Sequence, residues 1–268
     1  GMRLPVFDAF HPNPDLQDCV AGAALYQEKG CDGLISVGGG SAMDTAKGIK
    51  ALLMTDIAHV RANQLPSEGN VPHLAIPGTA GTGAETTAVA VLYENGQKLS
   101  VDHPALLPDG VLLDGSLLDT LPEYHRKSCA MDALAQGIES WWAKKATPDS
   151  RIHAERAIRG VLDNLTAYLQ GDRKAQDEML HAAYESGVAI LTTRTTAAHA
   201  MSYQITKKLG AAHGHACMLT LPHLWAHLAA QAEYQPMLTE LSRILGGEKP
   251  MDGAILLKGL LAVLELEY

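Results

Sequence analysis

The sequence predicts an α/β half followed by an all-α half, and two patterns along its 268 residues support that prediction. Up to about residue 118, short apolar runs alternate with segments of helical periodicity, as in strands joined by helices in a parallel sheet. From Leu121 onward, apolar residues recur at the spacing of helices. We therefore predict an α/β domain over residues 2–118 and an all-α domain over residues 119–268, with the change of character near residues 115–122.

The first half contains the elements of a βαβ unit and a hairpin. We predict a helix over 14–29, a strand over 34–37, a helix to about 54, a strand over 73–76, a hairpin of 88–94 and 97–101, and a strand over 110–114. The hairpin prediction depends on Asn95-Gly96, a strong signal for a two-residue turn.

The second half contains apolar stripes at helical spacing, such as Leu134, Ile138 and Trp141. The predicted helices cover residues 126–145, 151–169, 177–191, 196–209 and 222–245. The sequence shows neither internal repeats nor low-complexity tracts.

A glycine-rich turn follows the first predicted strand. Residues 38–41 read Gly-Gly-Gly-Ser, and a helix is predicted to begin there. Glycines let the backbone approach a ligand closely, and the helix start presents free N–H groups to an anion, which together favour a phosphate site. Ser41 and Asp44 resemble a capping box, and Lys47 is placed to extend toward a pyrophosphate. The G-x-G-x-x-G fingerprint is absent, so an ordinary glycine turn remains an alternative.

The helical half offers a candidate metal site. Asp132 and Gln136 are four residues apart and therefore share one helix face. His199 lies early in its predicted helix, and His213 follows the end of that helix near Gly210. One carboxylate and two imidazoles are common ligands of a divalent transition metal. The chain has 12 histidines, so structural roles for these two remain open.

Composition narrows the classes of partner. The formal net charge of −9 argues against nonspecific nucleic-acid binding, which needs a basic face. No apolar run approaches the ~20 residues that span a bilayer, so we expect no membrane partner. The four cysteines form no C-x-x-C pair and no leader is evident, which predicts a reducing, cytoplasmic environment.

The order of several motifs resembles the iron-containing (group III) alcohol dehydrogenase family over about residues 11–223. The motifs are His11-Pro12-Asn13-Pro14, the loop from Gly38 to Lys47, Pro77 to Glu85, Lys98 with His103-Pro104, Asp132-Ala133-Leu134, and His199 with His213-Gly214. The segment from His213 to Pro222 is similar to the branch that includes phosphonoacetaldehyde reductases.

This resemblance implies a dehydroquinate synthase-like fold, in which a nucleotide-binding α/β domain precedes a helical domain and the site lies in the cleft. It also implies roles for individual residues. Gly38, Gly39, Gly40, Ser41 and Asp44 would hold the pyrophosphate of NAD or NADP, Thr79 and Thr82 would line the nicotinamide side, and Lys98 would contact a ribose. Asp132, His199 and His213 match three of the family's four ligands for Fe²⁺ or Zn²⁺.

The sequence departs from the family pattern in three ways. Gln136 stands where the family has its fourth metal ligand, a histidine, and an amide oxygen would be a weak ligand there. Tyr203 replaces a histidine near the substrate, and a tyrosine can still pass a proton. The chain is also expected to be shortened at both ends, without an N-terminal βαβ segment and some C-terminal helices.

The predicted function is a metal-assisted, NAD(P)-dependent alcohol dehydrogenase or aldehyde reductase acting on a small polar alcohol or aldehyde. We also expect a homodimer or larger assembly. Two alternatives remain at this stage. One is a lyase of the dehydroquinate synthase type, and the other is a truncated, non-catalytic remnant that keeps a binding or oligomeric role.

Overall fold

The structure is a computed structural model that describes residues 4–67 and 71–267 and divides into two compact units. Unit 1 comprises Gly1–Gly78 and Ala84–Leu113, and unit 2 comprises Thr79–Gly83 and Asp114–Tyr268. Residues 2, 3 and 68–70 of the predicted α/β domain and residue 268 of the predicted helical domain lie outside the described residues. Of the residues predicted for the α/β domain, 79–83 and 114–118 belong to unit 2. The domain boundary itself stays a prediction.

Within its described residues, unit 1 combines a small parallel sheet, a hairpin and three α-helices. Its elements are α1 (Leu16–Glu28), β1 (Leu34–Gly38), α2 (Gly40–Met54), α3 (Ile57–Arg61), β2 (His73–Pro77), β3 (Val89–Glu94), β4 (Gln97–Asp102) and β5 (Gly110–Val111). The parallel strands have the order β1-β2-β5, with Leu34 opposite His73, and β3 pairs with β4 antiparallel. The predicted α/β character of the first half is confirmed.

Close packing of α1 on α2 depends on small residues. A Cβ added to Gly22 would lie 2.3 Å from the Ile49 side chain, and one added to Gly48 would lie 2.4 Å from Cys19 Sγ. The two helices can therefore approach until their apolar faces join the fully buried Leu92 of β3 in one core. The predicted turn at Asn95-Gly96 is confirmed, because both residues have positive φ, 50° and 72°, as a type I′ hairpin requires.

The predicted capping box at the start of α2 is wrong. Gly39 is the N-cap residue in an extended conformation, and no side chain among the described residues caps the helix. The Ser41 hydroxyl instead accepts a hydrogen bond from the Asn13 backbone N–H at 3.3 Å. Ser41 therefore fastens the His11–Pro14 motif to the glycine loop.

Unit 2 is helical. Its helices are α4 (Glu123–Trp142), α5 (Pro148–Leu169), α6 (Arg173–Thr193), α7 (Ala197–Leu209), α8 (His213–Ala229), α9 (Gln235–Ile244) and α10 (Asp252–Val263). The predicted helix over 222–245 is corrected, since Pro222 lies inside α8 and α9 is a separate helix. No helix within residues 4–67 and 71–267 is both long and apolar enough to cross a bilayer.

Candidate functional site

Helix α4 places three polar side chains on one buried face. Asp132, Gln136 and Glu139 follow one another at spacings of four and three residues, which align on a helix. All three are buried. Gly137, between them in sequence, lets α4 pack on α5, because a Cβ there would lie 2.9 Å from the Ile158 side chain. The face therefore lies inside unit 2, where each polar group needs a partner.

Two histidines, one on α7 and one on α8, lie next to Asp132. His199 Nε2 lies 3.2 Å and His213 Nε2 lies 3.8 Å from Asp132 Oδ1. The two imidazole rings are 5.3 Å apart between centroids. Gly210 ends α7 in the left-handed conformation, so the chain can turn and begin α8 at His213. The structure thus brings together the three residues that the sequence predicted as metal ligands, and ligation itself stays a prediction.

The contact between α4 and α8 requires a glycine after His213. A Cβ on Gly214 would lie 2.0 Å from the Ser128 carbonyl oxygen and 2.7 Å from Asp132 Cβ. No side chain fits that space, so only glycine permits this approach of the two helices. The position of His213 beside Asp132 follows from that close approach.

Glu139 orients His199, a role that sequence reasoning missed. Its Oε2 is hydrogen-bonded to His199 Nδ1, and its Oε1 accepts hydrogen bonds from Thr196 Oγ1 and from the Ala198 N–H, the latter at 2.9 Å. Because Nδ1 is occupied in this way, Nε2 faces Asp132. The available signal was its position seven residues after Asp132, on the same helix face.

Ser202 orients the His213 ring through Nδ1, as Glu139 orients the His199 ring. Ser202 Oγ donates to the His199 carbonyl at 2.7 Å and lies 3.2 Å from His213 Nδ1, so its oxygen is placed to accept a hydrogen bond from the His213 Nδ1–H. His213 Nε2 is then left to face Asp132.

Cys217 adds a fourth side chain to the cluster formed by Asp132, His199 and His213. Sequence reasoning missed this cysteine. Its buried thiol lies 3.9 Å from His213 Nε2. One ligand atom from each of Asp132, His199, His213 and Cys217 lies within 4.8 Å of the others. The sequence signal was the spacing of four residues from His213, which puts both side chains on one face of α8.

The charges of the cluster stabilise one another. Burial raises the pKa of the Asp132 carboxyl, but His213 and His199 outweigh burial and hold that pKa below its usual range. Burial lowers the pKa of His199, but Cys217, Asp132 and Glu139 more than compensate and hold it well above its usual range. The pocket therefore favours a positive charge between its carboxylates.

The Gln136 amide is engaged elsewhere in unit 2. Its Nε2 donates to the Thr82 carbonyl at 3.1 Å, and its Oε1 accepts from Ser186 Oγ at 2.8 Å. Gln136 therefore joins α4 to α6 and to the loop Thr79–Gly83. Its assignment as a metal ligand stays a prediction.

Tyr203 lies on the more open side of the cluster. Its ring is 5.8 Å from the His213 ring, one helical turn after His199. The His213 side chain is 38% exposed, whereas that of Asp132 is 4% exposed. A small molecule from solvent would therefore meet the His213 and Tyr203 side first. A catalytic role for Tyr203 stays a prediction.

In unit 1 the glycine loop has the backbone that the sequence predicted. Gly38 has φ +143°, and a Cβ there would lie 2.9 Å from Ala42 Cβ. The Gly78 N–H donates to the Gly38 carbonyl at 2.7 Å, which joins the ends of β1 and β2. Gly39 and Gly40 then start α2, a helix of 15 residues whose first N–H groups lack intrahelical partners.

Two charged residues predicted to bind cofactor lie near each other in unit 1. The half-buried Asp44 accepts a hydrogen bond from the Val91 N–H, and Lys98 on β4 is close enough to lower its pKa. Burial nevertheless dominates and raises the pKa of Asp44 to about 6. The cofactor roles of Asp44 and Lys98 stay predictions, as do those of the glycines and Ser41.

The prediction that Lys47 extends to a pyrophosphate is wrong. Lys47 is fully buried, and its Nζ donates to the Ala84 carbonyl at 2.6 Å, to the Val89 carbonyl at 2.9 Å and to Thr87 Oγ1 at 3.1 Å. An ammonium has three donors, and these acceptors use all of them. Lys47 thus holds the 84–89 segment of unit 1 in place.

The loop with Thr79 and Thr82 belongs to unit 2. A Cβ on Gly81 would lie 2.8 Å from Cys129 Cβ of α4, and one on Gly83 would lie 2.5 Å from Gly187 Cα of α6. These glycines let the loop lie directly on both helices. Both threonines are half-buried there, and their contact with a nicotinamide stays a prediction.

Comparison with known proteins shows to which family the chain belongs. The profile of iron-containing alcohol dehydrogenases matches residues 1–115, and the profile of the C-terminal region of Fe-containing alcohol dehydrogenases matches residues 127–266. The chain belongs to the iron-containing alcohol dehydrogenase family. The predicted resemblance and fold class are confirmed.

Individual members of the iron-containing alcohol dehydrogenase family are similar over most of the chain. The probable alcohol dehydrogenase EutG of Escherichia coli is 35% identical over 83% of this chain and 58% of its own length. The phosphonoacetaldehyde reductase of Streptomyces viridochromogenes is 35% identical over 80% and 58%. The chain therefore spans less than two thirds of the length of these curated relatives.

Solved structures of the family match the fold. A sulfoacetaldehyde reductase from Bifidobacterium kashiwanohense, in complex with NAD+, superposes with a TM-score of 0.89 at 29% identity, covering 97% of this chain and 71% of that one. An iron-containing alcohol dehydrogenase from Thermococcus thioreducens gives 0.87 at 28% identity, covering 96% and 70%.

Proposed function

We propose that this chain is a metal-assisted, NAD(P)-dependent alcohol dehydrogenase or aldehyde reductase that transfers hydride between a nicotinamide and a small polar alcohol or aldehyde. The observation that carries the proposal is the convergence of Asp132, His199 and His213 in unit 2. Its support is membership of a family whose similar members are named for these reactions.

The donor atoms of the cluster fit a divalent transition metal. A carboxylate oxygen and two imidazole nitrogens face one another, and the second nitrogen of each imidazole is engaged by Glu139 or Ser202. Such outer partners fix histidine rings for ligation. Asp132, His199 and His213 would therefore hold Fe²⁺ or Zn²⁺. When bound, the metal supplies a Lewis acid for the substrate oxygen, and the nicotinamide supplies or accepts the hydride.

The glycine loop of unit 1 would bind the pyrophosphate of NAD or NADP through the backbone of Gly38, Gly39 and Gly40, with Ser41 beside them. Two features support this role. Gly38 has a positive φ, and the first N–H groups of α2 have no intrahelical partners. Asp44 would hold the pyrophosphate together with these residues. Thr79 and Thr82 would line the nicotinamide side, and Lys98 would contact a ribose.

Tyr203 would hold or pass the substrate proton. Its place beside His213 on the more exposed side of the cluster supports this role. The similar reductases named above act on phosphonoacetaldehyde and sulfoacetaldehyde, so we include small anionic aldehydes in the proposed substrate class.

The test is metal and nucleotide analysis of the purified chain, followed by NADH- and NADPH-dependent reduction of short aldehydes. The set would include phosphonoacetaldehyde, sulfoacetaldehyde, lactaldehyde and a neutral aldehyde. We expect metal-dependent oxidation of one cofactor with at least one of them. Cofactor binding without turnover of any aldehyde or alcohol would contradict the proposal and favour a binding role.

A pair of glycine variants tests the nucleotide loop separately. Gly38 and Gly96 both have positive φ in unit 1, so Gly38→Ala and Gly96→Ala should both lower stability, Gly96→Ala by about 1–2 kcal/mol and Gly38→Ala by more, because its Cβ would also lie 2.9 Å from Ala42 Cβ. By calorimetry, Gly38→Ala alone should weaken NAD(H) binding by about tenfold or more, equivalent to about 1.4 kcal/mol. Equal affinity in both variants would remove the loop from the site.

We also propose that the chain self-associates as a homodimer or larger and works in the cytoplasm. Exposed apolar residues on α10 support the first point. Four free cysteines, within the part of the chain that the structure describes, support the second.

A further inference from the structure

We infer that Cys217 is the fourth metal ligand of this chain. The inference rests on the metal centre proposed above and adds a thiolate to its ligands. Cys217 lies one turn after His213 on α8, and its buried sulfur is 3.9 Å from His213 Nε2. Both side chains therefore meet Asp132 from the same helix face.

The distances within the cluster match a four-ligand site. For a tetrahedral ion with bonds of about 2.0–2.3 Å, neighbouring ligand atoms are about 3.3–3.8 Å apart. The distances here are 3.2 Å from Asp132 Oδ1 to His199 Nε2, 3.8 Å from Asp132 Oδ1 to His213 Nε2, and 3.9 Å from His213 Nε2 to Cys217 Sγ. No pair among the four atoms is more than 4.8 Å apart.

Gln136, which occupies the family's histidine position, already has two partners. Its amide donates to the Thr82 carbonyl and accepts from Ser186 Oγ. Turning the amide toward Asp132 would leave the Thr82 carbonyl and the Ser186 hydroxyl without that partner, at a cost in free energy. Cys217 supplies a stronger donor without breaking these bonds.

A thiolate changes which metal the site prefers. Cysteine sulfur is a soft ligand that selects Zn²⁺ and similar ions, whereas an all-nitrogen and oxygen set accepts Fe²⁺ readily. We therefore expect this chain to retain Zn²⁺ or Co²⁺ better than Fe²⁺. Loss of Cys217 should reduce that preference.

Cobalt spectroscopy tests the ligand directly. The full chain is stripped with a chelator and titrated with Co²⁺ without oxygen. We expect visible ligand-field bands together with a thiolate-to-cobalt charge-transfer band in the near ultraviolet. Cys217→Ser should lose the charge-transfer band, and Cys31→Ser, whose cysteine lies in unit 1 outside the cluster, should keep it.

The other outcomes separate this inference from the metal centre. Ligation by Cys217 would be overturned if the parent showed visible bands without a charge-transfer band. It would also be overturned if Cys217→Ser kept the charge-transfer band. Neither result would contradict the metal centre itself. Absence of any cobalt band in the parent would overturn both proposals.

Chelator competition gives a second readout that does not depend on turnover. Loss of a residue that hydrogen-bonds to a metal ligand typically weakens metal binding by about 10–100-fold. Cys217→Ser removes a ligand itself and should weaken Zn²⁺ binding by at least that factor. Gln136→His should not strengthen it, because the fourth position is already filled. Tighter binding by Gln136→His together with unchanged binding by Cys217→Ser would show a three-ligand site and overturn the inference.

Discussion

Two buried glutamates, one in each unit, differ in how their charge is compensated. Glu139 has both oxygens engaged, by His199 on one side and by Thr196 and Ala198 on the other. These partners hold its pKa below the usual range despite burial. Glu85 is as deeply buried, but its Oε1 has no hydrogen-bond partner in the part of the chain that the structure describes, and burial raises its pKa to about 7. The first carboxylate therefore orients a site, and the second is a source of instability.

Glu139→Gln should weaken Zn²⁺ binding by about 10–100-fold, the usual cost of losing a carboxylate behind a metal-binding histidine. The amide oxygen can still accept from His199 Nδ1, but without the carboxylate charge it holds that ring less firmly with Nε2 toward Asp132 and makes it a weaker ligand. Chelator competition at constant pH measures the effect. Glu155→Gln, which removes an exposed glutamate paired with Arg159 on α5, is the control and should bind metal as the parent does.

Glu85→Gln should stabilise unit 1 by an amount that grows with pH. In the folded protein the Glu85 pKa is raised from 4.5 to about 7, so the folded state keeps a proton that the unfolded chain has already lost. The parent therefore loses stability as the pH rises from 4.5 to about 7, and an uncharged glutamine avoids that loss. We expect a gain on the order of 1–3 kcal/mol above pH 7, less toward pH 5.

Urea unfolding across this pH range measures the difference between the two proteins. Lys47, which faces Glu85, remains in both. Glu94→Gln is the control, because that half-buried carboxylate pairs with Arg61, which holds its pKa below the usual range. Its effect should stay constant between pH 5 and 7. A pH-independent effect of Glu85→Gln would show that the carboxyl is not held in its neutral form.

At the level of elements, the position of α8 on α4 determines the site. The Ser128 carbonyl and the Asp132 Cβ leave no room for a side chain at Gly214. His213 immediately precedes this contact and Cys217 follows it by three residues, so both depend on the distance between the two helices. A shift that made room for one methyl group would therefore move two cluster members away from Asp132.

Gly214→Ala should lower stability and metal affinity together. The added methyl would overlap backbone atoms of α4, and overpacking of this kind costs about 1–3 kcal/mol or more. Gly259→Ala is the matched control, since a Cβ at Gly259 of α10 meets no other described residue within 4 Å. There, alanine should stabilise the helix by about 0.5–1 kcal/mol. Thermal melting and zinc titration of both variants check this, and unchanged zinc affinity in Gly214→Ala would refute the packing argument.

The elements that could be predicted from the sequence are those whose formation depends on neighbouring residues. Long amphipathic helices and the Asn95-Gly96 turn could be predicted, because periodicity and turn chemistry are local signals. The start of α8 could not, because Pro222 resembled a helix start, whereas the helix begins at His213 and continues through the proline. Helix α10 was not predicted either.

The candidate site was predictable only in part, for a similar reason. Asp132, His199 and His213 belong to motifs whose order carries the family resemblance. Glu139 and Cys217 have ordinary spacings from these residues, and their roles depend on which helix faces which. Lys47 shows the converse, because its neighbours in sequence suggested a phosphate contact, but its acceptors come from a segment about 40 residues away.

At the scale of the whole molecule, α10 exposes part of the apolar surface of the chain. Ile255 is 63% exposed and Val263 is 80% exposed. Two helical turns separate these residues, so both side chains share one face of α10 and form an exposed apolar stripe. Exposed apolar stripes of this kind commonly mark surfaces of association. We expect the stripe to contribute to self-association of the chain.

Ile255→Glu should therefore weaken the proposed assembly. Transfer of one isoleucine from a buried interface to water costs about 1.5–3 kcal/mol, which is about a ten- to hundredfold increase in the dissociation constant. A glutamate also places like charges near each other if the stripe contacts a second copy of itself.

Light scattering over a range of micromolar concentrations measures the change in association. Leu209→Glu, at an exposed leucine of α7, is the control, because it adds the same charge outside the stripe. The parent should remain associated where Ile255→Glu dissociates, and Leu209→Glu should behave as the parent. A monomeric parent at all of these concentrations would refute self-association, and equal dissociation constants for the parent and Ile255→Glu would place the interface elsewhere.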